Sequence, residues 1–506
     1  MKRITRTLIV LVLAIALMTS CISGANSSDS GNMQPKTSIG AAKLNRVEKS
    51  KDINQYSIVA DLNTEDKLLT AEQNVKYINN EDIELKELYF HVYTNAFKTE
   101  VTAPFLFDDF KNAYPRGFQP GYTEIKSVSD TARGSQLEYS FQGEGSTIMK
   151  VKLASPIKPG EAVELNMQYV VHIPPAGERF GWGETNFNMG NWYPIAAVYD
   201  KKDGWNLDKY YPIGDPFFSD TADYDVVIKA PREYIVAASG HLIDEKVEGN
   251  IKTWKFEANG MRDFAFIANS NFVIAERIVD GTIVKSYYYK EHSRRGKEAL
   301  RIGAESLKLF NEKFGKYPFP SFSVVETEFP SGMEYPGLIY ISDKSYEIES
   351  SMNWFTIVIV HETGHQWWYS LVGNDEIDEA WLDEGITSYS EKIYEEMKLG
   401  KKDSDRNFRN HEQRVKKEAE DIVVAKPLSE FESWDDYGPT VYTKGAVIMN
   451  EIRKLVGEEK FFRILQTYFD EYKFKIAYTE DFINVCEKVS GMEMDDFFDS
   501  WLYEKE

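Results

Sequence analysis

Two hydrophobic periods share this chain: between residues 46 and 275 apolar side chains recur at every second position, and beyond 275 at every third or fourth. One sheet or one bundle cannot satisfy both patterns, so the chain must fold as more than one kind of layer. In "YSIVADLN" Tyr56, Ile58, Ala60 and Leu62 fall on one face, and "LYFHVY", "TIMKVKL", "YDVVIKA", "YIVAASG", "TWKFEA" and "FAFIA" repeat the alternation between Gly, Pro, Asn and Asp breaks. Residues 294–314 instead space Ala299, Ile302, Leu307, Phe310 and Phe314 as one helix face before "GKYPFP" interrupts them. Short strands are expected at "FSVVET" and "GLIYIS", and mostly helix from 352 onward. The reading is a multidomain α+β protein, with a β-rich domain over 46–275 and a mainly helical domain over 276–506.

A hydrophobic content of 42% excludes a disordered chain, and a formal charge of −22 argues against nucleic acid as a partner, because phosphate binding needs clustered Lys and Arg. The N-terminus places Lys2, Arg3 and Arg6 before an 11-residue apolar run, Leu8–Met18, and then small residues and Cys21. That layout is a signal peptide over 1–20, too short to span a bilayer. Cys21 stands where a bacterial lipoprotein signal places its lipidated cysteine, so the expectation is a secreted protein of the bacterial cell envelope, lipid-anchored to the outer face of a membrane. Residues 21–45, rich in Ser, Gly and Asn, read as a flexible tether. Cys486 is then the one cysteine left, which excludes an intramolecular disulfide and suits a small buried apolar residue.

With seven histidines in 506 residues, "VIVHETGHQWW" sets His361 and His365 four apart with Glu362 between them. On a helix, residues four apart share a face, so both imidazoles reach one metal ion while Glu362 projects beside it, placed to act as a base on metal-bound water. The apolar "FTIVIV" ahead of the motif is expected to seat this helix in a core, with Trp367 and Trp368 as packing. A third ligand is expected from "NDEIDEAWLDEGITSY": Glu384, which follows His365 after 18 intervening residues, leads, and Asp378, Glu379 and Asp383 compete on spacing. His91, His172, His241, His292 and His411 have no partner at ligand spacing and read as ordinary structural or surface residues.

The HETGHQWW motif followed by the Glu of "WLDEGITSY" resembles the zinc motif of the gluzincin aminopeptidases, the aminopeptidase N family, whose third ligand is the residue matched by Glu384. "SGMEYPG" (331–337) resembles the family's exopeptidase motif. The likeness implies that Glu334 binds a substrate's free α-amino group, and that Gly332 and Met333 pair with the substrate backbone. "VYTKGAVIM" (441–449) resembles the segment whose tyrosine, here Tyr442, stabilises the tetrahedral intermediate; Tyr437 is a weaker candidate, and Lys444 either holds that loop or is exposed. "NWYPIAAVYD" and "YDVVIKAPREYIVAASG" resemble the end of the family's N-terminal domain, and Glu184 and Asn186 lie near where relatives place a second residue for the amine.

The resemblance implies a saddle-like β domain before a thermolysin-like catalytic domain, one Zn2+ ion, and peptides with a free N-terminus as substrates. It also implies a short form lacking the C-terminal helical domain, with a more open site. Ser331 and Tyr335 depart from the exopeptidase pattern. The expected function is a zinc metalloaminopeptidase with Glu362 as general base; the alternatives are a zinc endopeptidase of the same fold and a catalytically silent surface peptide-binding protein.

Overall fold

The computed structural model describes residues 43–107, 109–202, 204–347, 352–418 and 422–503. The expected signal peptide, Cys21 and the tether up to residue 42 lie outside the described residues. Strand Asn54–Asn63 buries Tyr56, Ile58, Ala60 and Leu62, the face that alternation assigns, and turns the residues between them away from that core. It pairs in parallel with Ala222–Pro231 and antiparallel with Leu68–Ile78. An eight-stranded sheet grows from this pairing, and two four-stranded sheets accompany it. One of these carries Phe180–Trp182 and Asn186–Met189, the other Leu85–His91 and Ile148–Ile157.

The change of period at 275/276 falls inside strand Phe272–Val279, which forms a hairpin with Thr282–Tyr289 and opens a five-stranded sheet. In that sheet Thr282–Tyr289, Ser321–Thr327 and Leu338–Ser342 run parallel, and Gly332–Met333 closes the edge as a short antiparallel strand. Helix α1 (Ser293–Lys313) covers the sheet with Ala299, Ile302, Leu307 and Phe310 buried. Helix α2 (Met352–Gly364) packs against α1 and against strand Leu338–Ser342, and α3 (Ala380–Leu399) packs across α2. Helices α4 (Lys401–Glu418) and α5 (Gly445–Val456) enclose α3. The fold is mixed α+β, β-rich first and mainly helical after, as the two periods require.

The run "FTIVIV" seats helix α2 in a core as expected, with Phe355, Val358, Ile359 and Val360 buried, while Ile357 and the preceding Trp354 are exposed. A helix turns its residues through 100° each, so a continuous apolar run necessarily presents some of them elsewhere than to the core. Tyr335, the departure from the exopeptidase pattern, points away from the site: its hydroxyl donates to Asn191 Oδ1 at 2.9 Å, and Asn191 donates in turn to Asp263. The phenol thereby ties the edge-strand turn to the β-rich part. Cys486 is buried and free, and no helix among the described residues is long and apolar enough to cross a membrane.

Candidate metal centre and its cavity

Helix α2 ends at Gly364, one residue before His365, but the His365 N–H still donates to the His361 carbonyl at 3.2 Å. The helical offset therefore survives the helix end, and His361 Nε2 and His365 Nε2 stand 3.0 Å apart. Glu384 enters from α3, its Oε2 lying 3.1 Å from His361 Nε2 and 3.4 Å from His365 Nε2. Behind the rings, His361 Nδ1 faces Glu391 at 2.8 Å, and His365 Nδ1 faces Asp383 with the Trp368 carbonyl beside it. Carboxylates and carbonyls only accept, so each Nδ1 carries the proton and each Nε2 presents a lone pair.

Two Nε2 atoms and a carboxylate oxygen thus face one point that calls for positive charge: without a metal, burial pulls both imidazoles down and the surrounding carboxylates more than reverse it, so protons occupy the place a divalent ion would take. Tetrahedral zinc with bonds of about 2.0–2.1 Å needs donors roughly 3.3–3.4 Å apart, close to the three distances observed. Burial pushes the Glu384 carboxyl up, and the two imidazoles more than reverse that, holding it below the usual carboxylate range. Among the competitors for third ligand, Asp383 lies behind His365, Glu379 accepts from the Thr479 N–H, and Asp378 is exposed.

Glu362 is buried with Oε2 unpartnered, and burial lifts its carboxyl to about 7 against the pull of His361 and His365. Gly332 passes so close that a Cβ there would lie 2.0 Å from Glu362 Oε1, so the edge strand reaches this carboxylate only as glycine. Two residues on, Glu334 is buried with Oε1 unpartnered, and it offers a carboxylate oxygen within 4.8 Å of Glu362 and His365. Burial and then Asp215 push its carboxyl well above the ordinary value. The Met333 sulfur accepts from Arg179 Nε at 3.0 Å, and the same guanidinium pairs with Asp215.

The region expected to assist Glu334 is elsewhere. Glu184 is exposed and its N–H donates to Glu328, while Asn186 is bonded to Asn188. Asp215 and Arg179 line the cavity in their place. Sequence reading missed both, because they lie 36 residues apart in a loop and beside a short strand where no local spacing joins them.

Tyr442 rides on a π-helical turn, Gly438–Lys444, that runs into α5. Its ring stacks on His361 with centroids 5.7 Å apart, and its hydroxyl reaches Glu384. Tyr437, five residues earlier, meets the Tyr442 ring at 5.7 Å, a contact between residues five apart that a π turn makes and an α turn does not. Lys444 is buried and donates to the Ile422 carbonyl at 2.7 Å, so it holds the loop. Gly385, next to Glu384, meets Gly445 backbone to backbone: a Cβ on Gly445 would stand 2.7 Å from the Gly385 Cα.

One cavity of about 560 Å³ contains His361, Glu362, His365, Glu384, Glu334, Gly332 and Tyr442. Ser331 lines it and Tyr335 does not. His411, read as an ordinary residue, also reaches it from α4.

Residues 298–501 match the peptidase family M1 domain. Aminopeptidase M1 of Arabidopsis thaliana is 24% identical over 305 residues, which is 56% of this chain and 34% of that protein. Aminopeptidase N of Streptomyces lividans is 27% identical over 223 residues, 40% of this chain and 25% of that protein. The chain spans about a third or less of the length of these curated relatives. Among solved structures, a mutant M1 zinc metallopeptidase from Deinococcus radiodurans bound to a Tyr-Ser-Ala substrate superposes with a TM-score of 0.62 at 16% identity, covering 90% of this chain and 95% of that one. A two-domain M1 zinc metallopeptidase mutant bound to L-tryptophan gives the same score and identity over 92% and 96%. At this identity the likeness is one of fold, a β-rich part followed by a helical part.

Proposed function

We propose that this chain, whose residues 298–501 match the peptidase family M1 domain, is an aminopeptidase N-like gluzincin that holds one zinc ion and removes the N-terminal residue from peptides. His361, His365 and Glu384 would hold the zinc, which when bound supplies a Lewis acid that polarises the scissile carbonyl and acidifies water. Glu362 takes the proton from the attacking water and returns one to the departing amine, both within reach of a carboxylate beside the donor cluster. The Tyr442 hydroxyl, held over His361, donates to the oxyanion as it forms, a contribution of about 2.7–4 kcal/mol for one such donor. The edge strand Gly332–Met333 offers backbone groups to the substrate chain.

The observation that carries the exopeptidase reading is Glu334: a buried carboxylate with an unpartnered oxygen in the cavity wall. An ammonium group satisfies it by charge-assisted hydrogen bonds, and Asp215, clamped by Arg179, shares that ammonium from the other side. The test compares free and N-acetylated forms of one peptide. The free form should be cleaved one residue at a time and the acetylated form resist; equal cleavage of both would make the protein an endopeptidase. Glu362→Gln should abolish turnover while zinc stays bound; unchanged turnover in the variant would remove Glu362 as the base, and absence of turnover in the zinc-loaded wild type would leave a peptide-binding protein.

We further propose that the chain is exported to the bacterial cell envelope and anchored to a membrane surface through a lipidated Cys21. Mass spectrometry of the mature N-terminus tests this, and an unmodified Cys21 would refute it.

A further inference from the structure

The cavity changes character toward solvent. Its inner end is buried carboxylate and imidazole, whereas three large apolar residues that line its mouth are open to water: Phe107 at 49% exposure, Trp354 at 54% and Ile357 at 37%. Exposed apolar side chains scattered singly need no explanation, but a cluster on one cavity that also holds reactive groups marks ligand contact.

Two elements build this mouth. On α2, Ile357 and Trp354 precede His361 by one turn and two, on the face that carries the imidazole, roughly 6 and 10 Å along the axis. From the β-rich part comes Phe107, whose backbone sits at φ 56°, a left-handed conformation seldom taken by an aromatic residue and concentrated at ligand clamps. Its ring lies 5.1 Å from Trp434, Trp434 lies 5.5 Å from Tyr437, and Tyr437 meets Tyr442. A chain of ring contacts therefore runs from solvent to the metal centre, with Phe107, Trp434 and Tyr442 on the cavity and Tyr437 packed behind them.

We propose that this mouth is the subsite for the residues that follow the cleaved bond, and that the enzyme favours peptides with bulky apolar side chains at their second and third positions. The inference rests on the aminopeptidase reading, which sets its direction: with the ammonium at the buried Glu334, the rest of the peptide runs toward the solvent-exposed mouth. An extended chain advances about 3.3 Å per residue, so the second and third side chains come level with Ile357, Trp354 and Phe107. Burying hydrocarbon on both partners then lowers the free energy of the bound substrate.

The test measures kcat/KM for Ala-Leu-Leu and Ala-Ser-Ser with the zinc-loaded enzyme and with Trp354→Ala and Phe107→Ala. Both side chains are exposed, so their removal leaves the core intact. The expected result is a preference of at least about tenfold for Ala-Leu-Leu, cut severalfold in each variant. Comparable rates on the two peptides, or a preference that both variants retain in full, would overturn the subsite while leaving the aminopeptidase reading in place. Cleavage of N-acetyl-Ala-Leu-Leu as fast as of the free peptide would remove that reading, and the subsite with it.

Discussion

Gly445→Ala tests whether the crossing of α3 and α5 positions Tyr442. The new Cβ would stand 2.7 Å from the Gly385 Cα, and the reciprocal substitution 3.0 Å from the Gly445 Cα. Carbon atoms pack at about 3.5–4.0 Å, so the two backbones must part by roughly 1 Å. Overpacking of this kind costs about 1–3 kcal/mol, and replacing glycine inside a helix returns about 1 kcal/mol, leaving a net loss of roughly 0–2 kcal/mol and a folded protein. Helix α3 is fixed along its length by buried Trp381, Leu382, Ile386 and Tyr389, so the irregular π turn is the side that gives. Tyr442, three residues before Gly445, then withdraws from Glu384 and His361. A displacement of about 1 Å lowers turnover by roughly a hundredfold, and the loss should fall on kcat with KM little changed. The assay is steady-state kinetics on a free tripeptide with zinc content measured in parallel. Tyr442→Phe sets the upper bound, and the double variant should lose little more than Tyr442→Phe alone, because both remove one interaction. A fully zinc-loaded Gly445→Ala enzyme with kcat within about twofold of wild type would refute the argument.

Gly332→Ala should lower kcat by roughly a hundredfold or more with zinc retained, because its Cβ would fall 2.0 Å from Glu362 Oε1 and drive the base aside; an active variant would mean the edge strand moves freely. Asp383→Asn removes the carboxylate behind His365 and should weaken zinc binding by about 10–100-fold, read by competition with a chelating dye, with unchanged affinity as the contrary result. Burial pushes Asp263 up to about 6, with the Phe264 N–H and the Tyr193 hydroxyl holding it down. The folded state therefore keeps a proton that the unfolded chain releases near its ordinary value of 3.8. That contribution is complete below about pH 4 and is lost as pH rises to 6, of order 3 kcal/mol in total. Urea melts of Asp263→Asn should lack this part of the slope, and an identical slope would place the titration elsewhere.

What the sequence disclosed was whatever a single helix or strand imposes. His361 and His365 share a face because of the helical repeat, and Tyr56, Ile58, Ala60 and Leu62 share one because of the pleat, so both sets are legible without neighbours. Glu384 was legible by its spacing after His365 only alongside Asp378, Glu379 and Asp383, and it was the resemblance of "WLDEGITSY" to the family motif that singled it out. The groups that spacing could not reveal are those brought together by the crossing of elements: Asp215 with Arg179, Asp383 behind His365, and Glu391 behind His361. The π turn was hidden for another reason. It inserts one residue into a helical repeat, and Tyr437 and Tyr442, which it places in contact, fall far apart on any α-helical wheel.

The charge on the cavity explains why those crossings matter together. Asp215, Glu334, Glu362, Asp383 and Glu384 are all buried around one space, and Glu376, both its oxygens unpartnered, stands within 4.8 Å of Glu334 and Asp383. Among the described residues Arg179 pairs into this group, and its partner is Asp215. So many carboxylates withdrawn from water destabilise the fold unless positive charge reaches them or protons neutralise them. The architecture leaves two places for that charge, the three-acceptor cluster for a divalent ion and Glu334 for an ammonium group. On the proposed function, a divalent ion held by His361, His365 and Glu384 would neutralise the imidazole end, and a substrate ammonium at Glu334 would neutralise the other end only while bound. Under the proposed aminopeptidase activity, binding energy from the ammonium would be drawn from repulsion among these carboxylates, and release of the amino acid would restore that repulsion before the next N-terminus binds.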